Sequence, residues 1–276
     1  MDNIRALLDK VEILPMSPSL LPKLLPHLSD VNANFDEVVR IISIEQTLTA
    51  KLLQICNSAF FGQDEPVSTV TEAVNRVGYQ SIYLLTAMIN GSASFPQRPI
   101  GGMSPLRLWK HSVATAFTSK FTAEAAGEDA SLLFTAGLMH DIGKLILAQI
   151  PPQQNATYFH QLTTAETLAD ERRQFGCDHA VVGAQLVKNW GLPEPLVACI
   201  HYHHDPQQAH DFQKIAACIT VADGLTHGVD HPEATPAVAF TDAMAILEFN
   251  AGHIKGLQEQ FGKSRELIDS MSNLPL

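Results

Sequence analysis

Apolar residues recur along this chain at the three-and-four spacing of helices, and no segment alternates as a half-buried strand would. Phe35, Val38, Val39, Ile41 and Ile42 make one face of a helix over 35–44, with Asn34 placed to cap it and Glu37 to answer the cap. A second helix over 44–57 turns Leu48, Leu52, Leu53 and Ile55 inward, and 69–77 and 80–90 are two more, parted by Gly78. Between 91 and 105, Gly91, Pro96, Pro99, Gly101, Gly102 and Pro105 leave no helix intact. Helical spacing resumes over 106–126, 131–150, 156–175, 179–190, 195–204 and 212–227, and 237–270 supply one or two closing helices. Pro151 and Pro152 end the 131–150 helix, Asp178 caps the helix opening at His179, and Gly191 stops it after Trp190. The pattern predicts an all-α, two-lobed fold: a helical lobe over 1–95, a helical bundle over 104–230, and closing helices over 231–276.

Charge narrows the function classes. Acidic residues outnumber basic ones 29 to 18, a net charge of −11, and so negative a surface repels phosphate backbones and anionic lipid. Nucleic-acid duplexes and membranes are therefore not the expected partners. The start, Met1-Asp2-Asn3-Ile4-Arg5, lacks the basic-then-apolar pattern of a secretory signal, and the most apolar stretch, 132–150, is broken by His140, Asp141 and Lys144. A cytoplasmic location is expected. Cys56, Cys177, Cys199 and Cys218 form no Cys-x-x-Cys pair and read as buried free thiols in a reducing compartment. Histidine is the outlier: there are 12, with His201, His203, His204 and His210 crowded together.

The densest chemistry lies in Gly137-Leu138-Met139-His140-Asp141-Ile142-Gly143-Lys144-Leu145. On one continuous helix, adjacent His and Asp side chains point about 100° apart and can both turn to a cation beside it. Imidazole nitrogen and carboxylate oxygen suit a divalent metal. Lys144 stands one turn after His140, placed to hold an anionic group there. Charges this close in an apolar helix are costly unless paired, which itself marks a site. An ion cluster that braces helix packing without metal is the other reading of the same residues.

His-Asp-x-Gly-Lys in an apolar helix resembles the signature of HD-superfamily metal-dependent phosphohydrolases. The pattern continues through Gly176, His179, Gly183, Leu186, Trp190, Leu192 and Pro193, then Ile200, His203, His204 and Pro206. It is similar to the HDOD family of signalling and output domains and to the related HD-GYP cyclic-dinucleotide phosphodiesterases. Leu48-Thr49-Ala50-Lys51-Leu52-Leu53, Asn57-Ser58-Ala59-Phe60-Phe61-Gly62 and Thr71-x-Ala73-x-x-x-Val77-Gly78 resemble HDOD in particular, and the likeness covers roughly 15–227. It implies a two-lobed HD-superfamily fold. Carried over position by position, it implies that His111, His140, Asp141 and Asp223 hold one ion. His179, His203 and His204, with Asp141 as bridge, would hold a second. Iron, manganese, zinc and nickel all accept such ligands.

Departures from the family pattern are specific. Glu45-Gln46 stands where Asp-Pro is usual, and Asp205-Pro206-Gln207-Gln208 replaces the Gly-Tyr-Pro stretch of HD-GYP enzymes. Arg107, one turn before His111, occupies the place of a glutamate ligand in some of those enzymes; it argues against a third metal and suits phosphate. His27, His160, His210, His227, His231 and His253 read as surface residues, and of His201, His203 and His204 at least one faces solvent. Phe60, Phe61 and Trp190 read as core packing. Two functions follow from the resemblance. One is a regulatory module that engages a signalling protein. The other is an active phosphohydrolase on a nucleotide or cyclic dinucleotide, with Asp141, Lys144 and Arg107 as its working residues.

Overall fold

The computed structural model describes residues 67–77, 105–148, 150, 164–189, 192–230 and 238–272, with single positions 39, 42, 49, 52, 53 and 56. The expected helix over 80–90, the 91–104 break, Pro151-Pro152, Phe60-Phe61, Trp190, Gly191, His27, His160 and His231 lie outside the described residues. Every described element is helical, and none is a strand. No described helix is long and apolar enough to cross a membrane. The chain divides into two compact units, one of Met1–Leu14 with Pro96–Arg265, the other of Pro15–Phe95 with Glu266–Leu276.

In the second unit, Val39, Ile42, Thr49, Leu52, Leu53 and Cys56 are helical, and the Thr49 hydroxyl donates to the Ile42 carbonyl at 2.9 Å. Helix α1 (Val70–Val77) buries Val70, Ala73 and Val74. It opens with a reciprocal cap: the Glu72 amide donates to Thr69 Oγ1 and the Thr69 amide to Glu72 Oε2, each at 3.2 Å.

The first unit is built around α2 (Pro105–Ala126), which carries proline at its first position, where no amide is needed. Residues 111–119 are buried without interruption, so the middle of α2 is enclosed on all sides rather than amphipathic. Its hydroxyls are accommodated inside: Thr118 and Thr122 donate to the carbonyls one turn back, and Thr115 pairs with Thr226 at 3.1 Å. Helix α3 (Ala130–Met139), capped by Asp129, packs on α2. Gly137 permits that approach, since a β-carbon there would sit 2.8 Å from the Thr115 carbonyl oxygen and 2.9 Å from Ala116 Cα.

The single helix expected over 131–150 is in fact two. His140 and Asp141 form a turn between α3 and α4 (Ile142–Leu147), and Asp141 adopts φ −97°, ψ 10°. Asp141 stands at the N-cap of α4, yet its carboxylate makes no capping bond. It is spent elsewhere. Helices α5 (Thr164–Phe175), α6 (His179–Asn189) and α7 (Glu194–Tyr202) follow, then a 3-10 segment, Pro206–Phe212, and α8 (Gln213–Asp230). Asp178 caps α6 as expected, accepting the Val181 amide at 3.0 Å, and its other oxygen takes Arg172 Nε and Nη2 at 2.7 Å each. Asp178→Ala is expected to cost about 1–2 kcal/mol, read as a lowered urea midpoint at unchanged slope. Two closing helices, α9 (Val238–Ile246) and α10 (Ala251–Ser272), complete the chain.

His253, expected as an ordinary surface residue, has a structural task. Its Nδ1 accepts the Asn250 amide at 3.1 Å while Asn250 Oδ1 accepts the amides of Gly252 and His253, so the pair caps α10 reciprocally.

Candidate metal centre

Five stretches of the first unit bring the expected ligands to one place. His111 comes from α2, His140 and Asp141 from the α3–α4 turn, and His179 from the first position of α6. His203 and His204 come from the turn ending α7, and Asp223 from α8. The 195–204 helix was expected to carry the last two histidines within it; instead α7 ends at Tyr202 and both lie in the turn beyond.

Donor atoms gather in two groups, His111–His140–Asp141 and His179–His203–His204, each within a 4.8 Å sphere of separations that could hold a metal ion. His111 Nε2 lies 3.2 Å from His140 Nε2 and 3.0 Å from Asp223 Oδ1, and His140 Nε2 lies 3.7 Å from that same oxygen. His179 Nε2 lies 3.0 Å from His204 Nε2. His203 bridges the groups, its ring centroid 5.1 Å from that of His140 and 5.5 Å from that of His179. Asp141 faces both sides at once. Its Oδ1 lies 3.2 Å from His179 Nε2, and its Oδ2 lies 3.4 Å from His140 Nε2 and 3.8 Å from His111 Nε2.

Hydrogen bonds orient the rings. His140 Nδ1 donates to the Gly137 carbonyl at 2.7 Å and His203 Nδ1 to the Ile200 carbonyl at 2.8 Å, which leaves each Nε2 directed inward. Thr220, from α8, donates to the His203 carbonyl at 2.7 Å and holds that turn against the bundle. Asp141 Oδ1 and His203 Nε2 are buried with no hydrogen-bond partner, an unusual pair of orphans in a folded interior. Lys144 Nζ donates to Asp141 Oδ2 at 2.6 Å, so in this arrangement the lysine neutralises the carboxylate. Its side chain keeps 19% exposure, and Asp223 keeps 17%, so the centre has an open flank. Arg107 is exposed in the first turn of α2, one turn from His111.

Charge is divided unevenly among the histidines. Burial, reinforced by the charges of His140 and His179, pushes His203 down to about 3, and burial with His203 beside it holds His204 well below the ordinary range. Both are neutral at pH 7. Burial opposes protonation of His179 too, but the Glu171 and Asp141 carboxylates outweigh it and raise it to about 9. His140 is likewise raised against its burial by Asp141 and Asp223. A cation bound here would have protons to displace, and its affinity would rise with pH.

Sequence reasoning missed Glu171 and Thr220. Glu171 Oε2 accepts both the His179 amide at 2.8 Å and its Nδ1 at 2.7 Å. A signal for it existed: Leu168, Glu171 and Phe175 fall on one stripe of α5, and a carboxylate among inward-facing apolar positions needs a buried partner. His201 stands apart, partly exposed, stacked on Tyr202 and outside both groups of donor atoms.

Comparison with known proteins agrees with this fold. A crystal structure of a candidate phosphohydrolase from Shewanella amazonensis SB2B is 22% identical and superposes with a TM-score of 0.68, covering 97% of each chain. An HDOD domain protein of unknown function from Geobacter sulfurreducens, also 22% identical, gives 0.62 over 98% of this chain and 95% of that one. Among curated proteins, an uncharacterised Treponema pallidum protein is 24% identical over 222 residues, 78% of this chain and 42% of its own length. Ribonuclease Y of Thermus thermophilus is 29% identical over 117 residues, 42% of this chain and 16% of its own length. The chain thus spans less than half the length of these curated relatives. The HDOD domain profile matches residues 14–206, most of the sequence, and the chain belongs to the HDOD domain family.

Proposed function

We propose that the chain is a regulatory HDOD protein of a bacterial signalling pathway. It would act in the cytoplasm through a protein partner, with a His/Asp centre that binds a pair of divalent cations. The observation that carries cation binding is the pair of orphaned atoms, Asp141 Oδ1 and His203 Nε2, buried among further imidazole nitrogens. Buried acceptors without donors are costly, and a cation offsets that cost. His111, His140, Asp223 and Asp141 Oδ2 would hold one ion. His179, His203, His204 and Asp141 Oδ1 would hold the other. Borderline nitrogen donors with carboxylate oxygens suit iron, manganese, zinc or nickel.

A second reading, hydrolysis of a phosphoester in a nucleotide or cyclic dinucleotide, is favoured by the open flank at Lys144 and Asp223. A cation pair there supplies Lewis-acid polarisation and neutralises charge on a phosphoryl group. Lys144 would turn from Asp141 to a phosphoryl oxygen, and Arg107 would add a planar fork to the same anion. The likeness to a candidate phosphohydrolase and to ribonuclease Y supports phosphoester chemistry. The Asp205-Pro206-Gln207-Gln208 stretch, in place of Gly-Tyr-Pro, weighs against a cyclic dinucleotide.

Metal-stripped protein reconstituted with manganese or iron and assayed on a panel of phosphodiesters separates the readings. Two bound equivalents with no turnover support the regulatory one. Turnover that disappears in Lys144→Ala favours the enzyme. No bound metal after reconstitution defeats both. Cation binding should also raise the melting temperature, each site adding about 2.7 kcal/mol at a free concentration 100-fold above its dissociation constant. A scanning-calorimetry trace indifferent to manganese would count against the centre.

A further inference from the structure

His140 and His203 both donate their Nδ1 protons to main-chain carbonyls. His179 is different: its Nδ1 donates to a side-chain carboxylate, Glu171 Oε2, at 2.7 Å. The same oxygen, Oε2, also takes the main-chain amide of His179, the first residue of α6. Ring and backbone are therefore gripped by one atom, and Nε2 is left directed at Asp141 and His204. Glu171 is itself 4% exposed and held on α5, next to Arg172, whose fork on Asp178 ties α5 to the start of α6.

We propose that Glu171 is a positioning residue for one half of the centre only, setting cation affinity at the His179–His203–His204 position and leaving the His111–His140–Asp223 position unchanged. A carboxylate behind an imidazole fixes its tautomer and makes it a stronger ligand than a carbonyl does. His111 and His140 pair with each other, Asp141, Asp223 and the Gly137 carbonyl rather than with Glu171. The inference rests on reading the centre as a cation pair, and its test separates the two.

Cobalt(II) is titrated into metal-stripped wild type, Glu171→Gln and Glu171→Asp, with binding followed by calorimetry and by visible absorption. Wild type should take up two equivalents. Glu171→Gln keeps the side chain's size and one acceptor oxygen. It should bind the first equivalent as wild type does and the second roughly 10–100-fold more weakly. Glu171→Asp, charged but shorter, should fall between and serves also if the glutamine variant folds poorly. Equal weakening of both equivalents would point to a general structural role and overturn the proposal, as would two equivalents bound at wild-type affinity. Wild type that binds no cobalt would overturn the cation-pair reading and this inference together.

Discussion

Asp141→Asn should remove both cations at once while leaving the chain folded. The two carboxylate oxygens face opposite halves of the centre, Oδ1 toward His179 and Oδ2 toward His140 and His111. An amide of the same shape offers one weak oxygen and a nitrogen that repels a cation, so neither half keeps its shared ligand. Metal per chain, measured after gel filtration of reconstituted protein, should fall from two equivalents to none. The folding cost is smaller. Lys144 loses its ion pair, but a side chain 19% exposed can rehydrate, so the penalty is about 1–2 kcal/mol rather than that of a fully buried broken pair. One equivalent retained at wild-type affinity would show that the halves do not share Asp141.

Gly143→Ala has the largest expected effect on stability. A β-carbon at Gly143 would lie 2.7 Å from the His179 carbonyl carbon and 2.8 Å from the Gly183 nitrogen, with the His179 carbonyl oxygen closer still. All three are backbone atoms, so no rotamer change relieves the collision; α4 and the start of α6 must separate. Overpacking of this kind costs about 3 kcal/mol or more. Urea unfolding of the metal-stripped variant reads the loss, and because His179 moves with α6, the second cation should weaken as well. Gly256→Ala provides the contrast. That helical position has no neighbour within 4 Å, and the substitution should be neutral or stabilising by up to about 1 kcal/mol. Equal stability of the two variants would refute the close approach of α4 to α6.

Much of this was legible in the sequence because the signals were local. Helical spacing and the Asp178 cap depend on neighbours a few residues apart. The family resemblance supplied the ligands, since it marks positions rather than geometry. The turn at His140–Asp141 was not legible. Nothing in Leu138-Met139-His140-Asp141-Ile142 is a helix breaker, and the interruption is seen only with Asp141 turned away from its cap. Glu171 and Thr220 were missed for a related reason. Each acts on a residue 8 or 17 positions away through a contact that only folding creates.

By itself, then, the amino-acid order determined an all-helical chain and which imidazoles and carboxylates were available to it, because helix periodicity and residue chemistry are properties of short segments. Tertiary structure decided that His111, His140, Asp141 and Asp223 share a centre with His179, His203 and His204. It also decided that Asp141 faces both halves, and that only His179 among the oriented rings is backed by a carboxylate. Those outcomes depend on how closely α4 can approach α6 and on which stripe of α5 turns inward. Both are settled by packing between segments far apart in the chain.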